Sequence, residues 1–130
     1  MFSNYFVLRK DAYGGCLDNR MLFPLEVIEA IKMISGSTPI GVRITGTEWE
    51  KEGFTIYDSI KFSKKLANLG CDYVCVSSGG NTPRPKIPIK PHYQVHLAKK
   101  IKHNVDILVR TVGMITKPKS AQKIISDNNA

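Results

Sequence analysis

A charged residue inside an apolar run is the first place to look for chemistry in this chain. Arg43 lies within Pro39-Ile40-Gly41-Val42-Arg43-Ile44-Thr45. The run is short and β-branched, which predicts a buried strand over 39–45. A guanidinium held there needs a partner that accepts several hydrogen bonds. A bound anion or an electron-rich ring would serve. So would a core carboxylate such as Glu48 or Asp72, and the spacing leaves both readings open. Ser77-Ser78-Gly79-Gly80-Asn81 is the second feature. It either lines a pocket or merely permits a turn into the loop carrying Pro83, Pro85, Pro88 and Pro91. Gly113 is the third. It precedes a helix start at Thr116, where backbone N–H groups can approach a phosphate. A plain strand-to-helix turn is the simpler account of that glycine alone. His92 and His96 stand four apart, a spacing that can hold a metal. No Glu sits between them and no third ligand is evident, so no metal site is predicted. Ser77 and Ser78 lack an evident base, so no nucleophilic catalyst is predicted either. There is no Gly-x-Gly-x-x-Gly and no Walker sequence to support a Rossmann or P-loop reading.

Elements must place these residues. The 1–15 segment reads as irregular and ends in the turn signal Tyr13-Gly14-Gly15. Phe23, Val27, Ile31 and Ile34 recur at helical spacing and predict a helix over 17–35. Gly36 stops it. The strand with Arg43 follows, then a loop over 46–54 carrying Trp49. Thr55 and Asp58 form a capping box for a helix over 55–69, with Phe62, Leu66 and Leu69 on one face. Gly70 ends it, and Tyr73-Val74-Cys75-Val76-Ser77 is a second strand. A helix over 93–103 turns Leu97, Ala98 and Ile101 inward. Asp106 to Val112 form a third strand. Thr116 is the expected N-cap of a last helix, with Pro118 in its first turn. Three continuous apolar strands alternating with four helices predict an α/β fold with a parallel sheet. An open doubly wound sheet and part of a (β/α)8 barrel both fit. Ligands bind at the C-terminal ends of the strands in either one, where Arg43, Ser77 to Asn81 and Gly113 fall. Three strands are few for either architecture, so the sequence reads as truncated or in need of a partner.

Composition narrows the class. The 130 residues, 42% hydrophobic and 23% charged, suit one ordinary domain. No run of about 18 apolar residues predicts a membrane span. The N-terminus lacks the charge order and cleavage site of a secretory signal, which predicts a cytoplasmic protein. Cys16, Cys71 and Cys75 read as reduced thiols, buried structural ones rather than reactive ones. The net charge of +8 comes mostly from lysine and spreads over predicted helix faces. Nucleic-acid binding would need a clustered basic stripe with arginine or aromatic partners, so no nucleic-acid partner is predicted.

Taken together, the motifs are more specific than any one. Arg9-Lys10-Asp11-Ala12-Tyr13-Gly14-Gly15-Cys16-Leu17-Asp18-Asn19-Arg20 is followed by Phe23-Pro24-Leu25-Glu26. Gly41-Val42-Arg43-Ile44, Val76-Ser77-Ser78-Gly79-Gly80-Asn81, Lys86-Ile87-Pro88, Tyr93-Gln94-Val95 and Val112-Gly113-Met114-Ile115-Thr116 come next in that order. From about residue 9 to 125 the chain resembles the old yellow enzyme family, in its bacterial NADPH dehydrogenase branch, also labelled NADH:flavin oxidoreductases. The resemblance implies an FMN-binding (β/α)8 barrel. It implies hydride transfer from NAD(P)H to flavin, then to the activated double bond of a small unsaturated carbonyl compound. Arg43 matches the arginine that contacts the flavin ring near N1 and O2. Gly113 matches a strand end whose backbone helps hold the FMN phosphate.

The departures qualify that picture. Residues 1–8 match poorly, and 1–130 reads as one partial barrel domain, the middle to C-terminal part. The family's substrate-anchoring His-x-x-His or His-x-x-Asn pair would lie upstream of Met1. Its Gly-Arg phosphate clamp would follow Ala130. No catalytic residue is therefore assigned within these residues. Cys16 stands where a serine helix cap is usual, Lys90-Pro91-His92 replaces a glycine-rich turn, and Arg110 and Thr111 replace small residues. The expectation is a truncated or split chain, inactive alone, that binds FMN weakly. A non-enzymatic interaction module and a degraded remnant are the alternatives. Partners would then be other fragments of the same barrel or a second copy.

Overall fold

The computed structural model describes residues 8–82 and 86–130. Four helices alternate with three strands: α1 (Leu17–Ser35), β1 (Gly41–Thr45), α2 (Ile56–Asn68), β2 (Tyr73–Ser77), α3 (Val95–Lys102), β3 (Leu108–Thr111) and α4 (Pro118–Ser126). The strands form one parallel sheet in the order β1-β2-β3. The outer strands are shorter than the apolar runs predict, because Ile40 and Ile107 pack on the core just before the pairing begins.

Register decides which side chains share a face. Arg43 pairs with Cys75, and Cys75 with Arg110. Val42, Val74 and Val109 form the preceding row, and Ile44, Val76 and Thr111 the following one. Side chains alternate along a strand, so the valine and isoleucine rows point to one side and the Arg43 row to the other. Ile44, Val74, Val76 and Val109 join Met21 and Ile28 of α1, Phe62 and Leu66 of α2, and Leu97, Ala98 and Ile101 of α3 in one core. None of Arg43, Thr45, Cys75 or Arg110 belongs to it. The helices that build the core thus cover one face, and the strands run in sequence order. A doubly wound sheet would reverse its order and carry helices on both faces. The arrangement is a sector of a parallel (β/α)8 barrel, with the Arg43 row on its inner face.

Close approach on that inner face explains one glycine. A Cβ on Gly41 would sit 2.0 Å from Cζ of Tyr73, its register partner, so the ring occupies the space a side chain would need.

The helices bring one exposed apolar stripe and one correction. On α1 the stripe Phe23, Val27, Ile31 and Ile34 is not inward: these residues are 49%, 40%, 41% and 85% exposed. Arg20, Met21 and Ile28 are buried instead, with Leu17 and Leu25 packed against the core. At about 100° per residue the two stripes lie roughly a third of a turn apart. The helix is apolar on both; one packs on the core, and on the other Phe23 meets the Tyr13 ring edge-on at 6.3 Å between centroids. At α4 the N-cap is Lys117 rather than Thr116, and no side chain caps it. Pro118 does open that helix. At α2 the capping box forms as predicted: Thr55 Oγ1 accepts from Asp58 N at 3.3 Å and Asp58 Oδ2 accepts from Thr55 N at 2.8 Å. Gly36 takes a positive φ of 56° at the end of α1. Pro83 and Pro85 of the proline loop lie outside the described residues.

Both sheet edges border apolar grooves. One, of about 290 Å³, lies between Phe23, Val27, Val42 and Phe62 on the β1 side. The other, of about 300 Å³, is lined by Val109, Ile115, Ile124 and Ile125 on the β3 side.

Candidate functional site

The loops after the three strands meet at one end of the sheet. Backbone pairing brings them there: Gly46 N donates to Ser77 O at 2.7 Å, and Gly79 N to Thr47 O at 2.8 Å. His92 N donates to Gly113 O at 3.0 Å, which joins the loop after β3 to the segment leading into α3. Ser59, fully buried on α2, seals the base of the first loop by donating to Thr45 O at 2.7 Å.

Arg43 is the middle residue of β1 and reaches toward this end through Ser77, and its surroundings differ from the sequence expectation. It is exposed rather than buried, because its row faces away from the helices. Neither proposed carboxylate reaches it. Asp72 Oδ2 accepts from Ile40 N at 2.7 Å. Glu48, 1% exposed, accepts from Phe54 N at 2.7 Å and from Asn81 Nδ2 at 3.2 Å. Among the described residues Arg43 forms no ion pair. Its Nε donates to Ser77 Oγ at 3.2 Å, and that hydroxyl donates to Ile44 O at 3.3 Å. Arg43 therefore reaches across to β2 through its Nε. Arg110, in the same cross-strand row, is exposed and also lacks an ion pair among the described residues. The inner face is electropositive.

Gly113 lies at the end of the third strand, with φ at 111°. A Cβ there would come within 3.1 Å of Gln94 Cβ and Oε1. Backbone conformation and close packing both demand glycine at this turn. Gln94 itself is 3% exposed, and its Nε2 donates to Ser78 Oγ at 2.8 Å and to the Tyr93 hydroxyl at 3.0 Å. Trp49 Nε1 donates to the same Ser78 Oγ at 3.0 Å. The loops after β1, β2 and β3 are thus joined through Trp49, Ser78, Gln94 and Gly113.

Trp49, Glu48 and Gln94 carry this architecture; sequence reasoning assigned no role to Trp49 or Gln94 and weighed Glu48 only as a partner for Arg43, which it does not reach. Their signals are weak: a glutamate in a charged loop and a glutamine at a helix start are common. The histidine pair is dispersed in role. His92 occupies a turn with φ at 65°, and His96 on α3 faces the Trp49 ring at 6.1 Å between centroids. Burial, and then the nearby Lys100 charge, push the His96 pKa down from its ordinary value. Cys71 and Cys75 are buried as expected, and burial pushes the Cys71 thiol up. Cys16 is exposed, contrary to the expectation, because it is the N-cap of α1 rather than part of a packed face.

What the strand-end loops can do chemically is limited but specific. A guanidinium, hydroxyls and a glycine turn lie on the strands and the loops that follow them, and such donors suit a ligand rich in oxygen and nitrogen acceptors. Comparison with known proteins agrees with that chemistry. The sequence profile described as "NADH:flavin oxidoreductase / NADH oxidase family" matches residues 1–130. An NADPH dehydrogenase of Geobacillus sp. is 35% identical over 94% of this chain, and one of Halalkalibacterium halodurans is 38% identical over the same share. This chain spans 35% and 36% of the lengths of those two relatives. The solved structure of histamine dehydrogenase from Rhizobium sp. 4-9 superposes with a TM-score of 0.79 at 30% identity. That match covers 97% of this chain and 19% of the other. No helix among the described residues is long and apolar enough to cross a membrane. With a barrel sector, two unpaired arginines on its inner face among the described residues and a match along its whole length, this chain belongs to the NADH:flavin oxidoreductase / NADH oxidase family.

Proposed function

We infer that these 130 residues form one partial-barrel domain of an FMN-dependent NAD(P)H oxidoreductase of the old yellow enzyme type. The observation that carries this reading is Arg43. It is a cation in β1 on the inner face that pairs with no carboxylate among the described residues, and its Nε reaches Ser77 at the strand end. A flavin ring edge fits that donor set, because N1 and O2 are acceptors. Bound flavin would take hydride from NAD(P)H and pass it to the activated double bond of an unsaturated carbonyl compound. Arg43 would orient the ring edge and stabilise the negative charge that reduction places there. Gly113 would present its backbone to the phosphate. At the same end, the first turn of α4 holds no acidic residue and no side-chain cap, which suits an anion.

The 130 residues are inactive alone on this reading and bind FMN weakly. The described residues hold three of the roughly eight strands of such a barrel, and the sequence carries no His-x-x-His or His-x-x-Asn pair. The exposed stripe of α1 and the two edge grooves favour association with the rest of a barrel over a free-standing role. A test is to produce this chain with the flanking segments of one of the NADPH dehydrogenases supplied as separate chains. Co-purification with FMN and recovered NADPH oxidation are expected. Tight stoichiometric FMN on the 130 residues alone would overturn the weak-binding part. Failure of any such mixture to hold FMN would overturn the flavin reading.

A further inference from the structure

The two edges of the sheet match in shape and differ in charge. Beside β1 lies an apolar groove of about 290 Å³, and beside β3 one of about 300 Å³. Val27, exposed on α1, lines the first, and Ile125, exposed on α4, lines the second. Among the described residues β1 and β3 each pair on one side only. Each therefore leaves a row of backbone N–H and C=O groups open. Both strands run in the same direction, so the two open rows are the opposite halves of one parallel ladder. The charges are split along the chain. From residue 59 to 130, thirteen lysines and arginines stand against three acids, Asp72, Asp106 and Asp127. From residue 1 to 58, eight acids stand against six lysines and arginines. The β3 edge with α4 belongs to the basic part, and the β1 edge with α1 to the acidic part. Glu26 on α1 and Lys119 on α4 are exposed, and neither forms an ion pair among the described residues.

We propose that this chain assembles head to tail with further copies of itself, the β3 edge of one copy adding in parallel to the β1 edge of the next. One such interface fills a groove of each kind, with Ile125 of one copy against the Val27 stripe of its neighbour. It also sets the basic part of one copy against the acidic part of the next. A two-fold dimer through β1 edges would join two acidic parts and leave the β3 groove open. The inner row limits the register. Unshifted pairing would set Arg110 directly beside Arg43, and like charges in that position repel. A shift of two residues keeps every side chain on its face and parts the two guanidiniums. Every copy offers both edges, so growth does not stop at a dimer. The proposal rests on the sheet and its edges and not on the flavin reading.

Light scattering on the full chain should give a mass that rises past the dimer with concentration and returns to the monomer on dilution. Val27→Asp places a charge in the β1 groove and leaves the β3 edge intact, and Ile125→Asp does the reverse. Each variant alone should be monomeric and should still melt cooperatively, because both positions are exposed. Mixed together, they should form a one-to-one pair that grows no further. The Val27→Asp protein supplies the sound β3 edge and the Ile125→Asp protein the sound β1 edge, and a pair that forms shows that both are folded. FMN enters none of these readouts, so the flavin reading can fail while this one holds. The proposal is overturned by wild type that stays monomeric at its highest soluble concentration. It is equally overturned by either variant associating as wild type does, or by a mixture in which both variants stay monomeric. Monomeric wild type that binds the flanking segments of an NADPH dehydrogenase would give the two edges to those segments instead.

Discussion

At the scale of single residues, caps and titrating groups give the sharpest expectations. Cys16 is the N-cap of α1 and makes no side-chain cap bond. A serine hydroxyl there would accept from a free N–H of the first turn. Cys16→Ser should therefore raise stability by about 1 kcal/mol in denaturant melts, and loss of stability would contradict the cap assignment. Cys16 should also react quickly with a thiol reagent in the native protein, while buried Cys71 and Cys75 react only on unfolding. His96 sets a pH trend. Its folded pKa is depressed, so the unfolded chain binds the proton more readily. Its contribution is intact above the ordinary histidine pKa of about 6.5 and is lost as pH falls below it. Melts from pH 7.5 to 5 should show a decline that His96→Gln reduces. A stability profile identical in the variant would show that His96 plays no part. Arg43 marks the limit of residue-level reading. The apolar run around it is real, but alternation sends its side chain to the face without helices. A sequence window shows the run and not the face.

At the scale of elements, helix and strand order was legible because the chemistry is local. The Thr55–Asp58 box, the Gly36 and Gly70 stops and the β-branched runs each act within a few residues. The facing of α1 was not legible. It carries two apolar stripes, and periodicity alone cannot choose between them. The cap of α4 was misread for a related reason: Pro118 fixes the first turn, so the cap falls to the residue before it, Lys117, whatever its side chain offers. The α1 facing is open to test. Met21→Ala should cost about 2–5 kcal/mol, since Met21 is fully buried in the core. Ile31→Gln on the exposed stripe should change stability of the chain by no more than about 0.5 kcal/mol. Equal losses at both positions would mean that the stripe is covered. The loop network is the other part that sequence could not supply. Trp49, Ser78, Gln94 and Gly113 are far apart in the chain and meet only because three parallel strands end side by side.

At the scale of the whole molecule, the sheet order, the one-sided helix layer and the bare inner face form one argument. A sector of a parallel barrel has its ligand chemistry at the strand ends and its apolar liabilities at the two edges. The electropositive row of Arg43 and Arg110 lies on the concave side, and the grooves flanking β1 and β3 lie where neighbouring strands and helices would pack. Supplying the flanking barrel segments should therefore cover α1's exposed stripe and reduce binding of a hydrophobic dye. The same mixture offers the most direct test of the central claim, that Arg43 holds a flavin ring edge. FMN affinity and flavin reduction potential should be measured with wild type and with Arg43→Ala. The account predicts about tenfold weaker FMN binding, as for loss of a charged hydrogen-bond donor, and a more negative potential, because the reduced ring loses its cation. Unchanged affinity together with an unchanged potential would contradict it.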